Sequence, residues 1–373
     1  MEPKVSFIVP CYNLAHLLAE CVNSILVQTY ENFEVLIMDD CSPDNTPDIA
    51  QSFQDPRVFH IRNERNLRHL ANYNKGIQMA RGMYVWLISA DDRLRSPLAL
   101  EQFVTILDQH PDAGFVFCPA VGLEHGVETG LLAYSHQGAS DAIFDGKLFL
   151  RKLLNCNIVV AASAMARKKC YVDLSMFPLD LPYAGDWYIW CLFALHHDVA
   201  YIAEPMANYR QHSQAITNLL KKEDNQILFQ DCISVLMRIR EAASAIGQDS
   251  ISGLCEQQVA RSYAEKITSG TETRPDLVID ELKALISSLT IDQFTLDRIV
   301  SHCYRQLADY YYTCGNNYEA KKYYRAAMQS NRRSIEAVLK FVLLNLGKVG
   351  IPLRTALSAL RKRFFPRVEG APV

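Results

Sequence analysis

The stretch that decides the fold runs from Val5 to Asp40 and reads VSFIVPCYNLAHLLAECVNSILVQTYENFEVLIMDD. It begins with the apolar run Val5–Pro10, which is too short for a helix and is closed by proline, so it predicts a strand. A helical stretch follows over about residues 14–28, and a second apolar run, Phe33–Met38, comes after it. Continuous apolar strands that alternate with helices indicate a mostly parallel sheet covered on both faces.

The same alternation continues beyond this stretch. Strands are predicted at Val58–Ile61, Tyr84–Ser89, Gly114–Pro119 and Val199–Ile202, and helices at about 46–53, 70–80, 97–109 and 186–197. Residues 122–142 are predicted as a loop or weak hairpin, and Ile158–Ala166 as an apolar strand or core segment. From about residue 218 only helical periodicity remains. We therefore predict an α/β domain over residues 1–218 and an all-α domain over residues 219–373.

Composition restricts the class of protein. The chain has 373 residues with 38 Lys and Arg against 41 Asp and Glu, and this near-balance argues against a nucleic-acid partner. Eleven scattered cysteines without a CxxC pair favour reduced thiols over disulfides or a zinc site. Neither a signal-peptide pattern nor an apolar run long enough to cross a membrane is found. We expect a cytoplasmic protein.

Paired acids follow two of the predicted strands. Asp39 and Asp40 follow the second strand, and Asp91 and Asp92 follow the fourth. Ligands of parallel sheets bind at the carboxyl ends of the strands, and paired carboxylates repel unless a cation joins them. Mg²⁺ or Mn²⁺ is the natural cation for such oxygen ligands. Helix capping is the alternative: it is favoured for Asp44 and disfavoured for Asp91 and Asp92, while Asp39 is favoured as structural.

Glycine-rich phosphate-binding motifs are missing from the sequence. No GxGxxG and no GxxxxGK[ST] follows the first strand, which argues against a dehydrogenase and against a P-loop enzyme.

Six motifs occur in order over about residues 4–215: VSFIVPCYN, CVNSILVQTYENFEVLIMDDCSPDNT, DPRVFHIRNERN, NYNKGIQMARGMYVWLISADD, AGDWYIWCLFA and AEPMANYRQHS. In this order they resemble the family 2 glycosyltransferases, whose GT-A fold binds nucleotide sugars. The resemblance implies an inverting, metal-dependent enzyme. Such an enzyme moves a sugar from a nucleoside-diphosphate donor, most often a uridine one, to a glycan or lipid-linked acceptor. In bacteria this activity usually serves surface polysaccharide, O-antigen or capsule synthesis.

The resemblance also implies a donor site. Asp40 matches the acid that contacts the nucleotide base, and Pro10 and Tyr12 line the same pocket. Arg68 and Asn74 lie in the segment that faces the nucleotide. For Arg68 the alternative is a solvated residue at the start of a helix.

The remaining implied roles concern the diphosphate and the acceptor. Asp91 occupies the family's DxD position beside Asp92, and His212 matches a segment near the diphosphate and metal; the three form the predicted Mn²⁺ or Mg²⁺ site. Asp186 matches the general base, with helix capping as its alternative, and a surface loop is the alternative for His212. Arg210 is predicted to hydrogen-bond the phosphates, as guanidinium groups commonly do. Trp187 and Trp190 are predicted as core residues.

Two departures from the family pattern support a second interpretation. Ser89 stands where the DxD has its first acid, and Gly185 stands where Glu is more frequent. The alternative is a non-catalytic scaffold whose helical domain recruits a partner protein. A nucleotidyltransferase is a third interpretation, but the Gly- and Lys-rich loop common to those enzymes is missing after the first strand.

The all-α region carries two further features. Residues 301–330, SHCYRQLADYYYTCGNNYEAKKYYRAAMQS, resemble one tetratricopeptide repeat, with a plain helical hairpin as the alternative. The segment Leu353–Phe365 has the pattern of a basic amphipathic helix, which predicts peripheral contact with an anionic membrane surface. An ordinary packed terminal helix is its alternative.

Overall fold

A computed structural model describes residues 2–212, 225–269, 275–288, 292–331 and 333–345. The chain divides into two compact units, one over Met1–Val235 and one that starts at Leu236. The predicted boundary at residues 218–219 lies outside the described residues, and so does the basic segment Leu353–Phe365.

An eight-stranded sheet forms the centre of the first unit, with strand order β3-β2-β1-β4-β10-β6-β11-β9. Strands β1 to β4 are parallel to one another, β11 is parallel to β6, and β9 and β10 run antiparallel to their neighbours. The strands are β1 Val5–Cys11, β2 Phe33–Asp39, β3 Val58–Arg62, β4 Tyr84–Leu87, β6 Ala113–Phe117, β9 Ala142–Phe144, β10 Ala164–Arg167 and β11 Asp198–Tyr201.

A smaller sheet lies beside it, with strand order β5-β12-β7-β8. Its strands are β5 Arg93–Leu94, β7 Ala120–Glu124, β8 Val127–Leu131 and β12 Ala207–Arg210. Strands β7 and β8 form the hairpin that was one of two alternatives for residues 122–142. Strands β5 and β12 were not predicted from the sequence, and they adjoin the candidate site.

Helices cover both faces of the central sheet because alternate residues of β1 point to opposite sides. Phe7 packs against Trp86, and Trp86 stacks on Phe103 at a centroid distance of 4.3 Å. On the other face Gly76 lies so close to β1 that a Cβ atom there would be 2.6 Å from Ile8 Cγ2. The helices of this part are α1 Ala15–Leu26, α2 Thr46–Ser52, α3 His69–Met79, α4 Ala99–Gln109, α5 Gly146–Leu153, α6 Lys168–Asp173 and α7 Gly185–His196.

The chain continues as helices to the end of the described residues. They are α8 Asn225–Ala245, which crosses from one unit into the other, α9 Asp249–Thr268, α10 Pro275–Ser288, α11 Gln293–Thr313, α12 Asn317–Ser330 and α13 Ile335–Asn345. The predicted fold class, a mostly parallel α/β sheet domain followed by an all-α region, is confirmed.

Helices α11 and α12 form a hairpin around a tight turn at Gly315, whose φ of 77° suits a glycine. Buried Ala320 and Ala327 allow close packing, and Ser301 Oγ donates to the Ala327 carbonyl at 2.8 Å. Tyr311 and Tyr323 stack at 5.4 Å. The structure therefore contains the helical hairpin, while its kinship to tetratricopeptide repeats stays a prediction.

The second unit buries a charged group. Glu256 is fully buried between Arg240, at 2.8 Å, and Arg298, at 2.5 Å. Because a buried carboxylate is costly without a counter-charge, these two pairs hold α8, α9 and α11 together.

In the part of the chain that the structure describes, no helix is both long enough and apolar enough to span a membrane.

Candidate active site

Asp40 begins the turn after β2 and is almost fully buried. Its Oδ1 atom accepts hydrogen bonds from Asn63 Nδ2 and from the Leu67 backbone amide, both at 2.8 Å. Among the described contacts both bonds reach Oδ1, so Oδ2 remains available as an acceptor. Asp40 thus has one oxygen that orders the 63–67 loop and one that is free to meet a ligand.

Pro10 and Tyr12 lie beside this turn, at the end of β1. Pro10 is buried, and its carbonyl accepts from the Ala90 amide at 3.1 Å, which ties β1 to the turn that carries Asp91 and Asp92. Tyr12 is 49% exposed. Its ring is therefore accessible for stacking beside Asp40.

Asp39 is structural, as the sequence analysis favoured. Its fully buried carboxylate accepts from the Ser42 amide at 2.8 Å and from Arg62 NH1 at 2.5 Å. Asp44 caps helices, also as favoured, since it accepts from the backbone of Ala15 and Thr46.

Arg68 precedes α3 and is exposed, with φ 68° and ψ 160°. This backbone region is strained for any residue with a Cβ, and such strain concentrates at functional sites. Asn74, the other residue that the resemblance implied at the nucleotide, has a structural contact. Its amide exchanges two hydrogen bonds with the Phe177 backbone, at 2.8 and 2.9 Å, so its contacts give no support to a donor role.

Asp91 and Asp92 differ sharply in environment. Asp91 Oδ2 lies 2.9 Å from His212 Nε2, and both side chains are partly exposed. Asp92 is buried, and its Oδ1 accepts from the Arg210 backbone amide at 2.8 Å. Burial, followed by the charge of Asp91, raises the pKa of Asp92 well above its ordinary range. The adjacent acids therefore have separate roles.

Of the predicted metal ligands Asp91, Asp92 and His212, the structure brings Asp91 and His212 into contact. Across the described residues no three His, Cys, Asp or Glu side chains converge on a common point. Asp92 is turned to the backbone of Arg210, which leaves Asp91 and His212. A carboxylate and an imidazole fit Mn²⁺ or Mg²⁺ when substrate phosphates supply further ligands, because these ions are commonly held by one or two protein carboxylates.

Arg210 is buried rather than aimed at a ligand. Its Nε donates to the Asp91 carbonyl at 2.7 Å, and its NH2 donates to Glu20 Oε2 at 2.6 Å. The predicted hydrogen bonds of Arg210 to phosphate therefore lack support, because these protein groups engage the guanidinium.

Asp186 is the second residue of α7 and is partly buried. Its Oδ2 accepts from Asn157 Nδ2 at 2.9 Å and its Oδ1 from the Trp187 amide at 2.7 Å. Burial raises the pKa of Asp186 from 3.8 to about 6. The neighbouring Trp187 and Trp190 are buried core residues, as predicted.

Tyr73, on α3, was not predicted as a site residue, and its pKa responds to both acidic positions. Burial and then the charges of Asp91, Asp186 and Asp92 raise its pKa. Tyr134 shows the same neighbourhood, since burial, Tyr209, Asp186 and Asp92 raise its pKa to about 12. The charges of Asp186 and of the Asp91–Asp92 turn therefore act on the same phenol, which supports one shared site. Nothing in a single sequence marks Tyr73 among 18 tyrosines.

Comparison with known proteins finds a family model that matches the first part of the chain. Residues 6–171 match the model of Glycosyl transferase family 2. The match covers most of the part of the chain in which the ordered motifs lie, so the predicted resemblance to this family is confirmed.

Individual relatives resemble the chain to different extents. The chain is 38% identical to uncharacterized protein y4gI of Sinorhizobium fredii over 121 residues, which are 31% of this chain and 13% of that protein. It is 25% identical to the succinoglycan biosynthesis protein ExoO of Rhizobium meliloti over 99% of this chain and 91% of that protein.

A solved structure shares the fold. S. aureus TarS 1-349 in complex with UDP-GlcNAc matches with a TM-score of 0.61 and 16% identity over 88% of this chain and 92% of that one. This likeness confirms the predicted GT-A fold.

Proposed function

We propose that this protein transfers a sugar, with inversion at the anomeric carbon, from a nucleoside-diphosphate donor to a hydroxyl group of an acceptor. The observation that carries the proposal is that the charges of Asp186 and of the Asp91–Asp92 turn both act on one half-buried phenol, Tyr73 of α3. A base and a diphosphate site that share one neighbourhood are what direct displacement requires. A second nucleophilic carboxylate of the retaining type is then unnecessary.

Asp186 is proposed as the general base. A raised pKa of about 6 makes it a stronger base than an ordinary aspartate while it stays ionised at neutral pH. Asn157 and the Trp187 amide fix the carboxylate orientation. Asp186 then accepts the proton of the acceptor hydroxyl as that oxygen attacks the anomeric carbon.

The donor is proposed to be a uridine nucleotide sugar. Asp40 offers its Oδ2 atom to the base, Tyr12 offers an exposed ring for stacking, and Pro10 closes the pocket. The strained backbone at Arg68 supports a functional position for that residue. Binding of UDP-GlcNAc by TarS, which has the same fold, supports the same donor class here.

Asp91 and His212 are proposed to hold Mn²⁺ or Mg²⁺ together with the donor diphosphate. The bound ion would offset the negative charge of the leaving nucleoside diphosphate as a Lewis acid. Asp92 supports this pair from behind, because it anchors the Arg210 amide two residues before His212.

The acceptor is proposed to be a glycan or lipid-linked glycan in surface polysaccharide synthesis, of which O-antigen and capsule are examples. The full-length similarity to a succinoglycan biosynthesis protein supports this class. With such an acceptor we propose a cytoplasmic enzyme that has peripheral membrane contact. Recruitment of a protein partner by the helical unit is part of the same proposal.

The decisive experiment measures sugar transfer and release of the nucleoside diphosphate, with a panel of nucleotide sugars, Mn²⁺ and polysaccharide acceptors. We expect Asp186→Asn to bind donor but lose transfer by about a hundredfold or more. Asp173→Asn is the control, since Asp173 pairs with Lys169 on the surface. Full activity of Asp186→Asn would refute the base assignment. If the unaltered protein showed no sugar transfer and no donor hydrolysis, the scaffold interpretation would be favoured.

A further inference from the structure

Two short strands bring the proposed diphosphate residues together. Strand β5, Arg93–Leu94, directly follows Asp92, and strand β12, Ala207–Arg210, ends two residues before His212. The strands pair antiparallel, with Asn208 opposite Arg93. Arg93 Nε also donates to Asn208 Oδ1 at 2.9 Å. The distance between Asp91 and His212 is therefore set by the pairing of β5 with β12.

Helix α1 contributes one carboxylate that bridges both strands. Glu20 Oε1 accepts from Arg93 NH1 at 2.5 Å, and Glu20 Oε2 accepts from Arg210 NH2 at 2.6 Å. Each oxygen thus holds the arginine of a different strand. No motif marks Glu20, which stands within an ordinary amphipathic helix.

Arg210 transmits this contact to the site. One edge of its guanidinium reaches Glu20, while its Nε holds the Asp91 carbonyl and its backbone amide holds the Asp92 carboxylate. The Arg210 side chain is only 8% exposed, and a buried guanidinium depends on its counter-charge for a fixed position. Glu20 supplies that charge.

We propose that Glu20 is a positioning residue for the diphosphate site, and that it acts through Arg210 to hold Asp91 and His212 in register. The inference rests on the proposed function for its ligand, but Glu20 and Arg210, whose contacts carry it, are not among the proposed ligand-binding groups. Partners that orient ligating residues from behind typically change metal affinity or activity by about ten- to a hundredfold when mutated.

The first test measures binding of UDP with Mn²⁺ by calorimetry. Glu20→Gln is expected to weaken binding about tenfold. Glu101→Gln is the matched control, because it removes one exposed carboxylate whose described contact is with Thr29. Arg210→Gln is expected to weaken binding at least as much, and the double variant no further, since Glu20 acts through Arg210. Unchanged affinity in Glu20→Gln, or additive losses in the double variant, would overturn the proposal.

The second test needs no nucleotide. Hydrogen exchange of peptides within residues 205–212 is expected to accelerate in Glu20→Gln and to match the unaltered protein in Glu101→Gln. Equal exchange in both variants would overturn the role of Glu20. If the unaltered protein binds no nucleotide, the proposed donor falls, while the exchange result still decides what Glu20 does. Glu20 is 37% exposed, so Glu20→Gln should fold. If Glu20→Gln does not fold, the test uses Glu20→Asp, which keeps the charge.

Discussion

Replacement of Asp186 by asparagine should change the stability of the protein more favourably at neutral pH than at acidic pH, relative to the unaltered protein. Burial raises the pKa of Asp186 from 3.8 to about 6, so the folded state binds the proton more tightly than the unfolded state. The stability of the unaltered protein therefore falls as pH rises from about 4 to about 6. The full rise in pKa corresponds to about 3 kcal/mol. Asparagine does not ionise, so the variant does not lose this stability as pH rises.

The size of the effect in an accessible range follows from the same two pKa values. Between about pH 5 and about pH 7.5, the free energy of unfolding of Asp186→Asn should rise relative to the unaltered protein by about 1.4 kcal/mol. The hydrogen bond that asparagine loses to Asn157 or to the Trp187 amide costs a similar amount at each pH. The change with pH therefore isolates the burial of the charge.

Urea unfolding followed by tryptophan fluorescence provides the assay. The three tryptophans, Trp86, Trp187 and Trp190, all belong to the first unit, so their signal reports on that unit alone. EDTA in the buffer removes any contribution from metal binding. Asp173→Asn, at an exposed position, should show no such change with pH. A difference between Asp186→Asn and the unaltered protein that stays constant across this range would refute the reasoning.

Three further predictions concern activity, donor binding and the helical unit. The specificity constant for transfer, kcat/KM, should fall below about pH 6 as Asp186 is protonated. An acidic limb of the pH profile centred near pH 4 would contradict the raised pKa. Asp40→Asn should weaken UDP binding about tenfold in calorimetry, because a charged acceptor is lost while Asn63 and Leu67 keep a partner; unchanged affinity would exclude Asp40 from the base pocket. Glu256→Ala should destabilise the helical unit by about 3 kcal/mol, since it leaves two arginines without their buried counter-charge. Thermal unfolding followed by circular dichroism, with the exposed Glu265→Ala as control, measures this loss, and equal midpoints would contradict it.

The centre of the sheet could be predicted from the sequence because its first two strands are mostly apolar and fully buried. Every residue of β1 and β2 is buried, so the two runs carry the signal of a strand covered on both faces. Strands β5 and β12 could not be found in the same way. They are two and four residues long, and Arg93 and Asn208 are polar residues held by one another rather than by an apolar core.

Part of the candidate site could also be predicted from the sequence, because the motifs occur in a recognisable order. Motif order placed Asp40, Asp91, Asp186 and His212 in one family pattern, but it could not distinguish Asp91 from Asp92. That distinction depends on a partner 118 residues later in the chain, the Arg210 amide, which accounts for the inward turn of Asp92. Glu20 and Tyr73 could not be predicted, because nothing in the sequence distinguishes them from other helical residues. Their roles depend on residues that are distant in the chain.

The pairing of β5 with β12 also has a consequence for synthesis of the protein. During translation the chain emerges from its N-terminus, so Asp91 is made long before His212, which follows 121 residues later. A nascent chain that ends at residue 171, where the family match ends, contains the parallel strands β1 to β4 but lacks Asp186, β11 and β12. The proposed catalytic centre is therefore among the last parts of the first unit to assemble. Any fragment or chimera intended to work must extend at least through His212.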